Sequence, residues 1–153
     1  MSRIPFRVLP IALTLVAHLR AAEAPEPVRV CTLLENPAAF DSKVVVVVGR
    51  YSFRQSGRTL SEEKCGEHPG GALRITFAKS DAPPTPERLD MDGSLVRKLL
   101  RSVQEHTSLT KFKFGSPDYD RWAVIYGRLE TAKDGSHLIC AGDSVVLFLV
   151  DRY

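Results

Sequence analysis

The residues of this chain with the most specific chemistry are its three cysteines and four histidines. Cys65-Gly66-Glu67-His68 and His137-Leu138-Ile139-Cys140 each set a thiol three positions from an imidazole, and together they make a two-thiolate, two-imidazole set of the kind that holds zinc. A metal-binding or redox-linked role through Cys65, His68, His137 and Cys140 is therefore the alternative function. Two features weigh against it. Thiolate zinc sites usually present two cysteines separated by two residues, and an oxidising compartment converts such thiols to disulfides. Three cysteines allow one internal disulfide and one spare thiol.

Other chemistry is harder to assemble. The chain has no G-x-S-x-G, H-E-x-x-H, P-loop or G-x-G-x-x-G motif. Glu62-Glu63 reads as an adjacent, solvated pair in a glycine-rich loop. Asp90-Met91-Asp92-Gly93 lacks the further ligands of a calcium loop, and acids there suit a helix start. The expectation is a protein without catalytic residues, metal or cofactor.

Composition fixes the class. The 153 residues are 44% hydrophobic and 25% charged, which fits one globular domain and excludes collagen, coiled coil and wholesale disorder. Setting aside Arg3, Arg7, Arg20 and Glu23 from the first 24 residues leaves 18 basic and 17 acidic side chains, so the net charge of +3 is largely a property of that segment. Residues 1–24 read as a secretory signal: Arg3 and Arg7, an apolar run from Val8 to Leu19, then Ala21, Ala22 and Ala24. A periplasmic or secreted protein with no membrane span after cleavage follows. Cys31 lacks the small preceding residues of a lipidation signal.

The elements that must position these groups are legible by pattern. Residues 25–42 read as a linker (Pro25 to Pro27) and a short helix interrupted at Pro37, and residues 43–153 as the main domain. Lys43 to Phe53, with five consecutive valines, is a strand, and Gly49 inside it marks a bend. Ser56-Gly57 turns into a short strand at Thr59 to Ser61, Glu62 to Gly71 is a loop, and Ala72 to Ala78 alternates as a half-buried strand. Asp92 or Ser94 caps a helix with Leu95, Val96, Leu99, Leu100 and Val103 on one face. Arg121 to Leu129 and Ser144 to Asp151 complete five strands. The order β-β-β-α-β-β with a long, bent first strand predicts a mainly β, OB-like five-stranded barrel in preference to an open α+β sheet, the helix plugging its open end. In that order Cys31 and Cys65 share one end of a hairpin, which favours a Cys31–Cys65 disulfide, although spacing alone leaves all three pairings open. Cys140 then reads as a small buried hydrophobe.

Leu33-Leu34-Glu35-Asn36-Pro37 through Phe40-Asp41-Ser42-Lys43-Val44, followed by Val48-Gly49-Arg50-Tyr51 and Cys65, resembles a set of small exported bacterial proteins of OB-like fold without assigned activity. Those proteins usually read Asp-Gly-Lys where this chain has Asp41-Ser42-Lys43. The resemblance implies fold and compartment, and no chemistry.

Binding is the remaining class. The expected function is a non-enzymatic exported module for a protein, peptide or glycan ligand of the envelope. Nucleic acid is disfavoured by the near-neutral mature charge, by a second strand that reads as short and polar, and by the inward parity of Phe77 with Leu73 and Ile75. The basic run Arg97, Lys98, Arg101, Lys111 and Lys113 reads as a solvated face. The candidate binding residues are Arg50, Tyr51, Phe53 and Arg54 at the end of the valine strand, with Phe112 and Tyr119 from the later loop. Tyrosine and arginine are frequent interface anchors. On the competing reading Tyr51 and Phe53 complete the core and the arginines are only solvated. Replacing Arg50 and Arg54 together by alanine tests the choice, and is expected to leave the melting temperature nearly unchanged while abolishing capture of the partner. The signal predicts a mature N-terminus between Ala22 and Pro25. Intact mass of exported protein checks this, and retention of Met1 to Leu19 in the secreted product is the contrary result.

Overall fold

The computed structural model describes residues 25–78, 80–84, 91–110 and 114–149; the expected signal segment and Phe112 lie outside them, as do the side chains of His68 and of residues 143–148. The described chain is mainly β, with six strands in one sheet and three helices. The strands are β1 (Pro27–Arg29), β2 (Val44–Arg54), β3 (Gly57–Cys65), β4 (His68–Phe77), β5 (Tyr119–Thr131) and β6 (His137–Leu149). The helices are α1 (Val30–Glu35), α2 (Pro37–Phe40) and α3 (Gly93–Gln104).

Hydrogen-bonded neighbours follow the order β1-β2-β3-β4-β6-β5, and β5 also pairs with β2, Val44 to Phe53 lying opposite Arg128 to Tyr119. The pairings of β2, β3, β4, β6 and β5 thus return to β2, and β1 stands outside that circuit. All pairings are antiparallel except β1 with β2 and β4 with β6. β-branched residues favour this extended, two-sided environment. Val45 to Val48 are at most 4% exposed although alternate residues face opposite ways, so both faces of the strand are covered.

Several expectations are corrected in detail. The presumed linker at Pro25 to Pro27 leads into β1, which pairs in parallel with Val46 to Val48 of β2. Glu62 to Gly71 is not a loop: Ser61 to Cys65 pairs with Ala72 to His68, leaving only Gly66 and Glu67 as the turn. A charged sequence can occupy a strand when cross-strand hydrogen bonds satisfy its backbone, and periodicity alone does not reveal that. The final strand likewise begins at His137, seven residues earlier than its apolar run suggests.

Helix α3 is capped by Asp92, whose carboxylate accepts the amides of Ser94 and Leu95, and it buries Val96 and Val103. It packs on β1 and β2. Helix α1 also packs on β2, on the face that carries Gly49. A Cβ placed at Gly49 would stand 2.9 Å from Val30 Cγ2 and 3.0 Å from Leu60 Cγ, so glycine is required there for the close approach of α1. Val30 and Leu33 are fully buried, each burial being worth roughly 1.5–3 kcal/mol. The turn before β2 carries its own constraint: Ser42 adopts φ 61° and donates its amide to Leu129 O at 2.8 Å.

Cys31 and Cys65 form the disulfide, with Cα atoms 5.3 Å apart. Cys65 ends β3 far from the Gln55-Ser56 turn, and Cys31 opens α1, so the bond ties the N-terminal helix to the sheet. Cys140 is free and buried. The disulfide closes a separation of 34 residues, for which the loss of chain entropy in the unfolded state corresponds to about 3–4 kcal/mol. Replacing Cys31 and Cys65 together by alanine should lower the unfolding free energy in urea by that amount. A loss below about 1 kcal/mol would show that α1 is held by packing alone.

Candidate functional site

The antiparallel register at the end of β2 separates the six expected binding residues. Residues two apart in a strand share a face. Tyr51 and Phe53 therefore point with Leu60 and Arg58, their opposite numbers on β3, whereas Arg50, Ser52 and Arg54 point the other way. β5 adds Tyr119 opposite Phe53. The Phe53 and Tyr119 rings stack with centroids 5.4 Å apart and 13° between planes, and Tyr51 lies 6.1 Å from Tyr119. Arg58 completes the group, its guanidinium carbon 5.3 Å from the Phe53 centroid and 4.9 Å from that of Phe77. Such contacts hold a flexible cation in one orientation.

This cluster grades from core to solvent. Tyr51 is 4% exposed, Phe53 and Phe77 are half-buried, and Tyr119 is 36% exposed. Burial raises the Tyr51 phenol above its ordinary value, the neighbouring Tyr119 adds to this, and Arg58 opposes it. The tyrosine stays neutral at physiological pH. Tyr51 thus completes the core, as the competing reading had it, while Phe53 and Tyr119 retain accessible ring surface. Arg58 and Phe77 were not among the expected residues. Phe77 shares the inward parity expected of it, and β3 is nine residues long and carries Arg58, so the description of that strand as short does not hold.

Arg50 and Arg54 are committed within the protein rather than solvated. Arg50 donates to Ser61 Oγ at 3.3 Å and Ser108 O at 2.8 Å, and pairs with Glu63. Arg54 donates to Tyr119 O at 3.0 Å and to Asp120 Oδ1 at 2.6 Å. The Asp120 side chain has no exposed surface. Burial pushes its carboxyl up, but hydrogen bonds from Thr110, Ser52 and Arg54 outweigh that and leave it below the ordinary carboxylate range. Removing Arg54 leaves a buried carboxylate one partner short, a loss of about 1–3 kcal/mol. The double alanine substitution is consequently not thermally silent, and the two arginines serve to fasten the segment between α3 and β5 onto the sheet.

The other large departure is Glu62, expected in solvent and found 2% exposed. Its Oε2 accepts the Cys31 amide at 2.7 Å. Its Oε1 has no hydrogen-bond partner among the described residues, the nearest cation being Arg29 Nη1 at 3.7 Å, which instead donates to Ser102 Oγ at 2.8 Å. Desolvation raises the Glu62 carboxyl above its ordinary value, and the Cys31 amide and Arg29 only partly oppose this. The carboxylate joins β3, α1 and, through Arg29 and Ser102, α3.

The two-thiolate, two-imidazole set is not assembled. Cys65 is bonded to Cys31 and Cys140 is buried between β5 and β4, opposite Arg128 and Thr76. The His68 side chain lies outside the description, and the described residues contain no group of three or more potential ligands. Of the basic run, Arg97, Lys98 and Arg101 are exposed on α3, whereas Lys111 and Lys113 lie outside the described residues.

Glu62 generates a pH prediction. Its folded value exceeds the ordinary 4.5, so over the interval between the two the folded state binds more protons than the unfolded state. Its contribution to stability therefore falls as pH rises through that interval and is constant above it. Glu62→Gln retains an acceptor for the Cys31 amide and carries no charge. The variant's melting temperature relative to wild type should rise across the interval and then level off, while the depressed Asp92, Asp120 and Asp134 cancel in the comparison. A difference independent of pH would mean that Glu62 is not strained by burial.

No protein-family model, curated protein or solved structure matches this chain.

Proposed function

We propose that this chain is an exported, non-enzymatic binding module of OB-like architecture that recognises a protein, peptide or glycan of the cell envelope. The closed circuit of pairings β2-β3-β4-β6-β5-β2, with β4 and β6 parallel and α3 between β4 and β5, supports the five-stranded barrel reading, β1 and α1 being additions before it. The N-terminal sequence and the resemblance to small exported proteins support export. A disulfide is in keeping with a non-cytoplasmic location, and no helix among the described residues is long and apolar enough to cross a membrane.

The observation that carries the binding reading is the stacked, partly exposed pair Phe53 and Tyr119 beside Arg58. Aromatic rings that bury large area at small entropic cost, next to an oriented arginine, are the usual composition of a recognition hot spot. Two half-exposed rings and a cation over two ring faces exceed what closing the core requires. The metal or redox alternative gains no support, since its Cys65 is in the disulfide.

The test is a screen of purified mature protein against arrayed peptides and glycans, repeated with Tyr119→Ala and Arg58→Gln. A retained ligand should bind the wild type at least tenfold more tightly than either variant, which is about 1.4 kcal/mol. Equal binding by both folded variants, or no retained ligand of any class, would overturn the reading.

A further inference from the structure

The opposite face of the same strands holds a cavity of about 270 Å³, bounded by the β2–β3 turn on one side and the β5–β6 turn on the other. Its wall carries Arg54 of β2 and Arg74 of β4 against a single carboxylate, Asp134, while Arg58 of β3 borders it at the turn with its guanidinium held over the Phe53 and Phe77 rings. Its remaining lining is small or hydroxylated, Thr59 and Ala72 among it, with His137 at the rim and no apolar side chain larger than alanine. An apolar anchor has nothing to bury against there.

From this arrangement we infer that the cavity binds a phosphoryl group, as free phosphate or a phosphate monoester. Arg74 is the central donor. It shares the outward face of β4, on the other side of the sheet from Ile75 and Phe77, and so does not depend on the aromatic cluster. Its Nη2 donates to Ser136 Oγ at 2.9 Å and stands 3.9 Å from Asp134 Oδ2. Asp134 is in turn occupied, its Oδ1 accepting both the amide and the hydroxyl of Ser136 at 3.0 and 2.6 Å. That turn holds the guanidinium by one nitrogen. Nε and Nη1 of Arg74 have no partner among the described residues. The pair with Asp134 is more than half exposed on both sides, and such pairs contribute little, so an incoming anion displaces it readily. Arg54, although spent on Asp120, still supplies field. The remaining Arg74 fork suits bidentate contact with an oxyanion, and a tetrahedral dianion keeps further acceptors for the Thr59 and Ser136 hydroxyls while gaining from the field of Arg54.

The experiment is an amide NMR titration of the mature protein with inorganic phosphate, with glucose 1-phosphate and with acetate, at constant ionic strength. Phosphate or the ester should give saturable shifts at Gly57, Thr59, Arg74 and Ser136. Tighter binding of the ester identifies a phosphorylated ligand, and equal or weaker binding identifies free phosphate. Arg74→Gln, a surface change whose folding the same spectrum checks, should weaken binding at least tenfold, and Arg74→Lys should fall between. Acetate shifts as large as those of phosphate, absence of saturation, or an unchanged Arg74→Gln titration would each overturn the assignment. A loss at Arg74 with the aromatic face still competent leaves the proposed recognition surface standing, so the two readings fail separately.

Discussion

Strand β2 is hydrogen-bonded along both edges, and every other feature of the protein depends on that. Its first half lies between β1 and β5 and its second half between β3 and β5. A strand in that position exposes no backbone groups and needs apolar side chains on both faces, which the five valines provide. Pairing of β2 with β5 also joins the last strand of the order back to its second. Gly49 sits between the stretch of β2 that pairs with β1 and the stretch that pairs with β3, where the Val30 side chain of α1 approaches closely.

Polar groups inside the structure divide by how well they are satisfied. Asp120 and Glu62 are both buried carboxylates, yet their acidities move in opposite directions. Asp120 receives Arg54 and the Thr110 amide directly, at 2.6 and 2.8 Å, so its charge is compensated. Glu62 receives one amide, and its cation stands too far off for a hydrogen bond. Burial wins where the partners are few. The disulfide lies beside this weaker junction, since Cys31 contributes its sulfur to Cys65 and its amide to Glu62. A covalent bond thus holds a place where the electrostatics alone are unfavourable.

The end of β2 illustrates how a strand serves two purposes at once. Alternation sends Tyr51 and Phe53 to the ring cluster and sends Arg50 and Arg54 to carboxylates that anchor the chain after α3. Residues adjacent in sequence therefore belong to separate surfaces. The ring surface and the cation-lined cavity are divided by the thickness of one sheet, with Arg58 at the turn where they meet.

Much of this was determined by the sequence by itself. The valine run, the alternation of Leu73, Ile75 and Phe77, the Asp92 cap and the apolar stripe of α3 are local patterns, and each element appears where its pattern lies. The Cys31–Cys65 pairing was favoured by element order, and the bond is present. Tertiary structure decided the rest, because long-range pairing leaves no local trace. Glu62 to Gly71 reads as solvated loop until β3 and β4 align it, and Pro27 to Arg29 reads as linker until β2 offers an edge. Arg58 joins Phe53 and Phe77 only through the register of two ladders. Whether a charged side chain is buried, paired or free is set by what the rest of the chain brings to it: Glu62 meets the Cys31 amide, Arg50 meets Ser61 and Arg54 meets Asp120, partners 31, 11 and 66 positions away.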